Sequence, residues 1–277
     1  MSAEADIAPA EMPEPELRPS LKERLVRTPA VLPLATFVAI LVIWEAGTRA
    51  FGVPTYVLPA PSRIVTGFAA VDVARWFEHL WATLKVALMG YAVSIAISLP
   101  IAVGLAKSPI LSRALYPLLV VIQSVPVVAV APIIIVVLGT GDAPRVVITF
   151  MISFFPLVVS MTTGLMATPP ELIELSRSLR APQSREITQI RLPFATPYIF
   201  SGLKISITLS VIGAVVSEFV AAEKGLGYFI QFSTSMFKLP QAWAGLFILV
   251  ALSLVLFQIV SLIQRLLFPW SLPKGRP

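Results

Sequence analysis

The stretch ALYPLLVVIQSVPVVAVAPIIIVVL, residues 114–138, contains no charged side chain. About 20 helical residues cross the ~30 Å hydrocarbon core of a bilayer, so this stretch is long enough to span a membrane. Across all 277 residues, 57% are hydrophobic and 13% are charged, and the mean hydropathy is +0.87. A soluble domain cannot bury so much apolar surface, and a disordered chain needs low hydrophobicity. The composition therefore excludes a soluble enzyme or DNA-binding domain and predicts an integral membrane protein.

Six windows in total are long and apolar enough to cross a membrane: residues 32–50, 80–106, 114–138, 146–168, 194–217 and 245–264. The strands of a membrane β-barrel would alternate in polarity over about ten residues, whereas these windows are continuously apolar. We therefore predict an all-α polytopic membrane protein with about six transmembrane helices. The predicted transmembrane domain covers residues 31–270, with a core at 80–268. A disordered tail (1–30) precedes it and a short tail (271–277) follows it.

The distribution of Lys and Arg predicts the topology. With the N-terminus in the cytoplasm, fourteen of these residues fall on the cytoplasmic side and seven on the outer side. Cytoplasmic loops of membrane proteins carry such an excess, so both termini are predicted to be cytoplasmic. The net charge of +6 is accordingly assigned to topology and not to nucleic-acid binding.

A few polar residues lie within or beside the predicted spans. Glu45 and Arg49 are four residues apart, so we expect them to pair on one helix face. Lys85 and Lys204 lie near span ends, where a long side chain reaches the interface. Glu218, at the outer end of the fifth span, is interpreted as solvated, with a gate residue as the alternative.

Small and kink-forming residues recur in the spans. Small residues at four-residue spacing permit close helix packing, and proline kinks a helix. The small residues are Gly90, Ser94, Ser98, Gly202, Ser206 and Ser210, and the prolines are Pro100, Pro126, Pro132 and Pro156.

The sequence carries no recognisable catalytic motif. It has no cysteine, which excludes thiolate metal sites and a cysteine nucleophile. Its one histidine, His79, is assigned to a loop and to solvent. No G-x-x-x-x-G-K-[ST] occurs, so this chain has no loop to cradle the phosphates of ATP. We predict a chain that is not an enzyme, with no metal site or cofactor of its own.

A charged segment, TPPELIELSRSLRAPQSREITQIRLP (168–193), separates the fourth and fifth spans. Thr168 and Glu171 have capping-box spacing, with Pro169 at the first helical position. They predict a short helix that ends near Leu179. Pro182 predicts a second short helix, which ends near residues 192–193.

Leu172, Leu175 and Leu179 form an apolar stripe along the first short helix, while Glu174 and Arg177 share its polar side. Such a helix can lie on the lipid surface, pack under its own bundle, or dock into the groove of another protein. Periodicity alone leaves these three roles open.

The segment resembles the EAA loop of ABC-importer permeases. Glu174, Ile190 and Leu192-Pro193 match the motif in register, whereas Leu175 and Ser176 replace its alanines and Arg180 replaces its usual glycine. A glycine there would end the helix in a left-handed conformation, which costs another residue about 1 kcal/mol. Arg180 therefore predicts either a different turn or an added contact.

Three further stretches resemble permeases of the nitrate, sulfonate and taurine group. They are Leu58-Pro59-Ala60-Pro61-Ser62, Gln123-Ser124-Val125-Pro126 and Gly225-Leu226-Gly227-Tyr228. With the EAA loop they stand in the family's order and extend the resemblance over residues 55–270.

The resemblance implies a type I permease subunit of an ATP-driven importer in the bacterial inner membrane. Its partners would be a second permease copy, two ATPase subunits that bind ATP and Mg, a periplasmic or lipid-anchored solute-binding protein, and membrane lipid. The loop between the fourth and fifth spans would be the coupling helix. Its expected contact residues are Glu171, Glu174, Leu175, Ser176, Arg177, Leu179, Arg180, Ile190, Leu192 and Pro193.

The substrate path is less defined by the sequence. Its polar candidates are Gln123, Ser124, Ser153, Ser206 and Ser210, although such residues also form hydrogen bonds between helices. The resemblance allows a sulfonate, taurine, nitrate, an aromatic acid or a vitamin precursor as the substrate. The alternative function is an ATPase-independent secondary transporter, which would need intramembrane ion sites or inverted repeats. A membrane-embedded enzyme would need a cluster of catalytic side chains at depth.

Overall fold

The computed structural model describes residues 31–272, and within this range the secondary structure is helical, with no strand. The chain divides into two compact units between Val53 and Pro54. In the first unit, helix α1 covers Val31–Ala50. The predicted pair on α1 is confirmed, because Arg49 Nε donates to Glu45 Oε1 over 2.6 Å. The predicted tail 1–30 and residues 273–277 lie outside the described residues.

The second unit contains nine further helices among the described residues. They are α2 (Pro61–Ala69), α3 (Val73–Lys107), α4 (Pro109–Gln123), α5 (Val127–Leu138), α6 (Asp142–Met166), α7 (Pro170–Ser178), α8 (Gln183–Ala221), α9 (Leu226–Ser235) and α10 (Leu239–Leu267). A 3₁₀ turn, Pro269–Ser271, follows α10. Five helices (α1, α3, α6, α8 and α10) are long and apolar enough to cross a membrane, and α4 with α5 makes a sixth candidate. The prediction of about six spans is confirmed.

The third predicted span is broken instead of continuous. Helices α4 and α5 meet at an angle of 91° across residues 124–126. Pro126 is the N-cap of α5 and has an extended backbone. Proline has no N–H to continue a helix, and it disfavours helical geometry in the residue before it. These effects favour a break at Pro126 but do not require one, since Pro132 and Pro156 lie inside continuous helices.

Helix α6 is the centre of the core and packs against both α3 and α8. Small residues allow this close approach, as predicted for Gly90 and Gly202, and Gly213 adds a further contact that was not predicted. A Cβ atom on Gly90 of α3 or on Gly213 of α8 would collide with Thr149 of α6. Deeper in the same interface, the Ser94 and Ser153 hydroxyls are 2.7 Å apart. The three spanning helices are therefore held at close backbone distances.

The predicted locations of His79 and Glu218 are wrong, because both side chains are buried at the start of α9. The first N–H groups of a helix lack partners within it. Here the N–H groups of residues 225–227 donate in turn to His79 Nδ1 over 3.2 Å, Thr83 Oγ1 over 2.8 Å and Glu218 Oε2 over 2.7 Å. Because His79 and Thr83 belong to α3 and Glu218 to α8, these contacts fix α9 to both helices.

Two lysines near predicted span ends have specific partners. Lys85 Nζ lies 2.5 Å from Asp142 Oδ2, and Lys204 Nζ donates to Gln264 Oε1 over 2.7 Å. Gln264 Nε2 donates in turn to Ser271 Oγ over 3.0 Å. Ser271, assigned from the sequence to the C-terminal tail, is thus buried against the end of α10.

Candidate coupling site and solute cavity

Helix α7 is the short helix predicted between the fourth and fifth spans, but the predicted capping box is wrong. The helix begins at Pro170, and its N-cap, Pro169, makes no capping side-chain hydrogen bond. The Thr168 hydroxyl donates instead to the Leu165 carbonyl over 3.4 Å. Proline disfavours helical geometry in the residue before it, so the pair 169–170 moves the helix start beyond the reach of Thr168.

One face of α7 is apolar and exposed. The exposed fractions of Leu172, Leu175 and Leu179 are 42%, 57% and 74%. Glu171 and Glu174 are also exposed. Contiguous exposed apolar side chains with a polar border are typical of a surface that contacts a partner or a membrane.

Other predicted contact residues face elsewhere. Ser176 is buried, so its hydroxyl lies away from the exposed face. Arg177 is exposed and lies nearest an acid of α8, with its Nε 3.8 Å from Glu186 Oε2.

The end of α7 keeps the shape expected of the family motif although Arg180 replaces glycine. Arg180 has a φ of 52°, in the left-handed region. The Arg180 N–H donates to the Arg177 carbonyl over 2.9 Å, and the Ala181 N–H donates to the Ser176 carbonyl over 3.0 Å. These two hydrogen bonds form a Schellman motif. Of the two predicted outcomes, a different turn is therefore excluded, and the conformational cost of about 1–2 kcal/mol is present.

The second short helix was predicted to end near residues 192–193, and this prediction is wrong. The helix that follows Pro182 continues without interruption to Ala221, and residues 186–191 form a π-helical turn within it. Proline inside an α-helix loses a hydrogen bond and collides with the preceding turn. The wider π turn directly before Pro193 relieves both problems, which explains why the helix continues.

The remaining motif residues connect this turn to the core. Ile190 and Leu192 are half-buried, whereas Pro193 is exposed. Leu192 packs on the core cluster that contains Leu157 and Leu165 of α6.

The turn also contains a charged pair, buried Glu186 and largely buried Arg191, that had no signal in the sequence. Glu186 and Arg191 form an ion pair of 2.8 Å, and Arg191 Nη1 donates to the Leu165 carbonyl over 3.2 Å. In an α-helix, residues five apart point about 140° away from each other, so a search at α-helical spacing does not pair them. Only the π turn brings their side chains together.

A cavity of about 610 Å³ lies between the bent pair α4–α5 and helices α3, α6 and α8. Its lining is aliphatic and aromatic, and includes Ile122, Val127, Phe150 and Phe155. Gln123, at the end of α4, is the polar side chain of this lining among the described residues. The cavity is therefore apolar over most of its surface, with one amide that can form hydrogen bonds.

The other predicted path residues do not line this cavity. Ser124 is exposed at the break, and its hydroxyl donates to the Val120 carbonyl over 2.9 Å. Ser153, Ser206 and Ser210 are fully buried. Ser206 donates across the interface to the Ser153 carbonyl, and Ser210 donates within its own helix. The structure thus brings Gln123 to the cavity and places these three serines in helix packing.

Comparison with known proteins identifies the family. Residues 94–271 match the model described as "Binding-protein-dependent transport system inner membrane component". The chain belongs to this family. It is an ABC-importer permease, as the EAA-loop resemblance indicated. It shares 34% identity with the formylaminopyrimidine transport permease protein ThiX of Halalkalibacterium halodurans, over 87% of this chain and 96% of the relative. It also shares 34% identity with the riboflavin transport system permease protein RibX of Chloroflexus aurantiacus, over 85% and 88%.

The fold is that of known importer permeases. An inward-facing structure of the MetNI methionine ABC transporter superimposes with a TM-score of 0.60 at 22% identity, and the match covers 67% of the permease and 92% of that chain. The helices that surround α6 in this permease therefore follow an architecture already seen in ABC importers.

Proposed function

We propose that this permease forms one half of an import path and is coupled to a separate ATPase through residues 169–193. The observation that carries the proposal is the exposed stripe of Leu172, Leu175 and Leu179 beside Glu174, on a helix outside the spanning segments. A groove on the ATPase would cover these leucines, and Glu174 would form a polar contact at its edge. ATP and Mg would bind to the ATPase.

The proposed assembly contains two copies of the permease, two ATPase subunits and a solute-binding protein. It lies in the bacterial inner membrane with both termini in the cytoplasm. ATP-driven closure of the ATPases would draw the two copies of α7 together and turn the spanning helices outward, which is alternating access by rigid-body motion.

For the substrate, we propose a small nitrogen heterocycle of the vitamin-precursor type. The apolar cavity supports this class, because its lining among the described residues includes aromatic rings and one amide but no charged group. Two relatives at 34% identity are named for formylaminopyrimidine and riboflavin transport. The relatives named for aliphatic sulfonates, taurine and nitrate share 23–26% identity. The Gln123 amide has both donors and an acceptor for the polar edge of a heterocycle.

Co-purification in detergent tests the coupling role. The tagged permease is co-expressed with the ATPase subunits of its own genome, as wild type, Glu174→Arg and Glu223→Arg. Glu223 is an exposed acid between α8 and α9, so its reversal is a matched control. We expect one ATPase to co-purify with wild type and Glu223→Arg but much less with Glu174→Arg. All three proteins should be equally monodisperse.

Two results would contradict the proposal. If no ATPase co-purified with the monodisperse wild type, the coupling role would be wrong. Solute accumulation by the purified permease alone would then support the ATPase-independent transporter. If Glu174→Arg bound the ATPase and transported normally, α7 would not be the contact surface.

A further inference from the structure

Glu186 and Arg191 lie where the loop that carries α7 joins the long helix α8. We propose that they are positioning residues, which make α6 and α8 respond together when α7 moves. This inference rests on the proposed coupling of α7 to an ATPase. It adds two residues outside the matched motif and gives them a role in transmission rather than in docking.

One carboxylate connects three helices. Glu186 Oε1 accepts from Arg191 Nε and Nη2, both over 2.8 Å. Arg191 also reaches α6, where its Nη1 donates to the Leu165 carbonyl over 3.2 Å. On the other side, Glu186 Oε2 lies 3.8 Å from Arg177 Nε of α7. A displacement of α7 can therefore be transmitted to α8 through Glu186, and to α6 through Arg191 and the Leu165 carbonyl.

Burial divides this network into a strong and a weak part. The side chains of Glu186 and Arg191 are 9% and 13% exposed, whereas that of Arg177 is 71% exposed. Removal of one partner from a buried pair leaves an uncompensated charge, while an exposed pair at long distance contributes little. The stiff connection is thus the joint between α6 and α8, and the contact to α7 is adjustable.

The π turn and the ion pair depend on each other. At α-helical spacing, side chains five residues apart diverge by about 140°. The π turn over residues 186–191 brings both side chains to the same side, facing the end of α6. Loss of the pair would remove a contact that holds the turn in this form, and the beginning of α8 would then be tied less firmly to the end of α6.

The test uses the complete importer, with permease, ATPase and binding protein reconstituted in liposomes. Three quantities are measured: ATPase retained on the tagged permease, ATP hydrolysed and solute taken up. The variants are Glu186→Gln, which removes the charge at constant size, and Arg191→Lys, which keeps the charge but loses the planar fork. The control is Glu45→Gln, which removes a carboxylate from another Glu–Arg pair, on α1.

We expect both variants to retain the ATPase, because the exposed face of α7 is unchanged. The solute taken up per ATP should fall about 2- to 30-fold, the range typical of changes within a coupling network. Glu45→Gln should match wild type. The double variant Glu186→Gln/Arg191→Lys should lower the ratio little more than the more affected single variant, because both residues act through one contact, whereas two independent local defects would add.

An unchanged ratio in both variants would overturn the inference, as would loss of the ATPase, because the residues would then belong to the docking surface. If Glu186→Gln is not monodisperse, Arg191→Lys alone decides. The proposed function is judged separately by the wild-type complex: if wild type retains no ATPase, that proposal fails regardless of these variants.

Discussion

The contact between Gly213 of α8 and Thr149 of α6 makes a prediction with a defined size. A Cβ atom at position 213 would lie 2.7 Å from the Thr149 Cα atom and 3.3 Å from its carbonyl oxygen. Thr149 is fully buried, and its backbone cannot rotate away as a flexible side chain can. Gly213→Ala therefore forces α8 and α6 apart.

The expected cost follows from packing energies. Extra methyl groups forced into a well-packed core cost about 1–3 kcal/mol. Replacing glycine by alanine inside a helix contributes up to about 1 kcal/mol in the opposite direction. Gly47→Ala on α1 is the control for helix propensity without a collision, because a Cβ atom there has no neighbour within 4 Å. The difference between the two variants should be about 1–3 kcal/mol, since the gain in helix propensity cancels.

Thermal unfolding of the detergent-purified permease, followed by the loss of the monodisperse peak in size-exclusion chromatography, measures this difference. For a chain of this size, 1 kcal/mol corresponds to about 2–4 °C, so Gly213→Ala should unfold about 2–12 °C below Gly47→Ala. Equal unfolding temperatures would refute the argument, because α6 and α8 would then not be in backbone contact at this level.

Three further changes have defined outcomes. Arg180→Gly should raise the unfolding free energy by about 0.5–1 kcal/mol, because the strain relieved in the folded state exceeds the conformational freedom that glycine adds to the unfolded chain. A lower unfolding temperature of this variant would contradict this account. Glu218→Ala should cost about 1–3 kcal/mol, since a buried N–H loses its acceptor. The exposed Glu223→Ala should change stability by less than about 0.5 kcal/mol, and equal losses in these two variants would argue against the buried cap. Gln123→Leu should lower heterocycle uptake by the reconstituted importer about 2- to 10-fold, while Gln258→Leu on the exposed side of α10 should not; equal uptake would remove Gln123 from the path.

Hydropathy was sufficient to predict the spanning helices, because length and composition alone determine whether a helix can cross a bilayer. It was not sufficient for the third span. Pro132 and Pro156 lie inside continuous helices, whereas Pro126 begins a new one. A proline has the same local effect at each position, and packing around it decides whether the helix continues. The angle at residues 124–126 therefore has no signature in the sequence.

The candidate site was predictable where a sequence motif determines the backbone conformation of its own residues. The end of α7 near Leu179 and the special conformation at Arg180 both follow from positions in the EAA pattern. The ion pair of Glu186 and Arg191 was missed because it depends on a π turn, and the cap at Glu218 because its partners come from a distant part of the chain. Contacts of this kind are decided by tertiary structure and leave no periodic signal.

The angle between α4 and α5 has a consequence for the solvation of the main chain. At 1.5 Å per residue, α4 and α5 are only about 22 and 18 Å long, so neither alone crosses a ~30 Å hydrocarbon layer. The first two N–H groups of α5 have no partner within their helix, and no side chain of the N-cap residue accepts from them. Lipid tails offer no hydrogen bonds, so irregular backbone inside the hydrocarbon layer must meet protein or water. The elbow at residues 124–126 therefore needs a polar environment, from protein or from water, wherever the bent pair enters that layer.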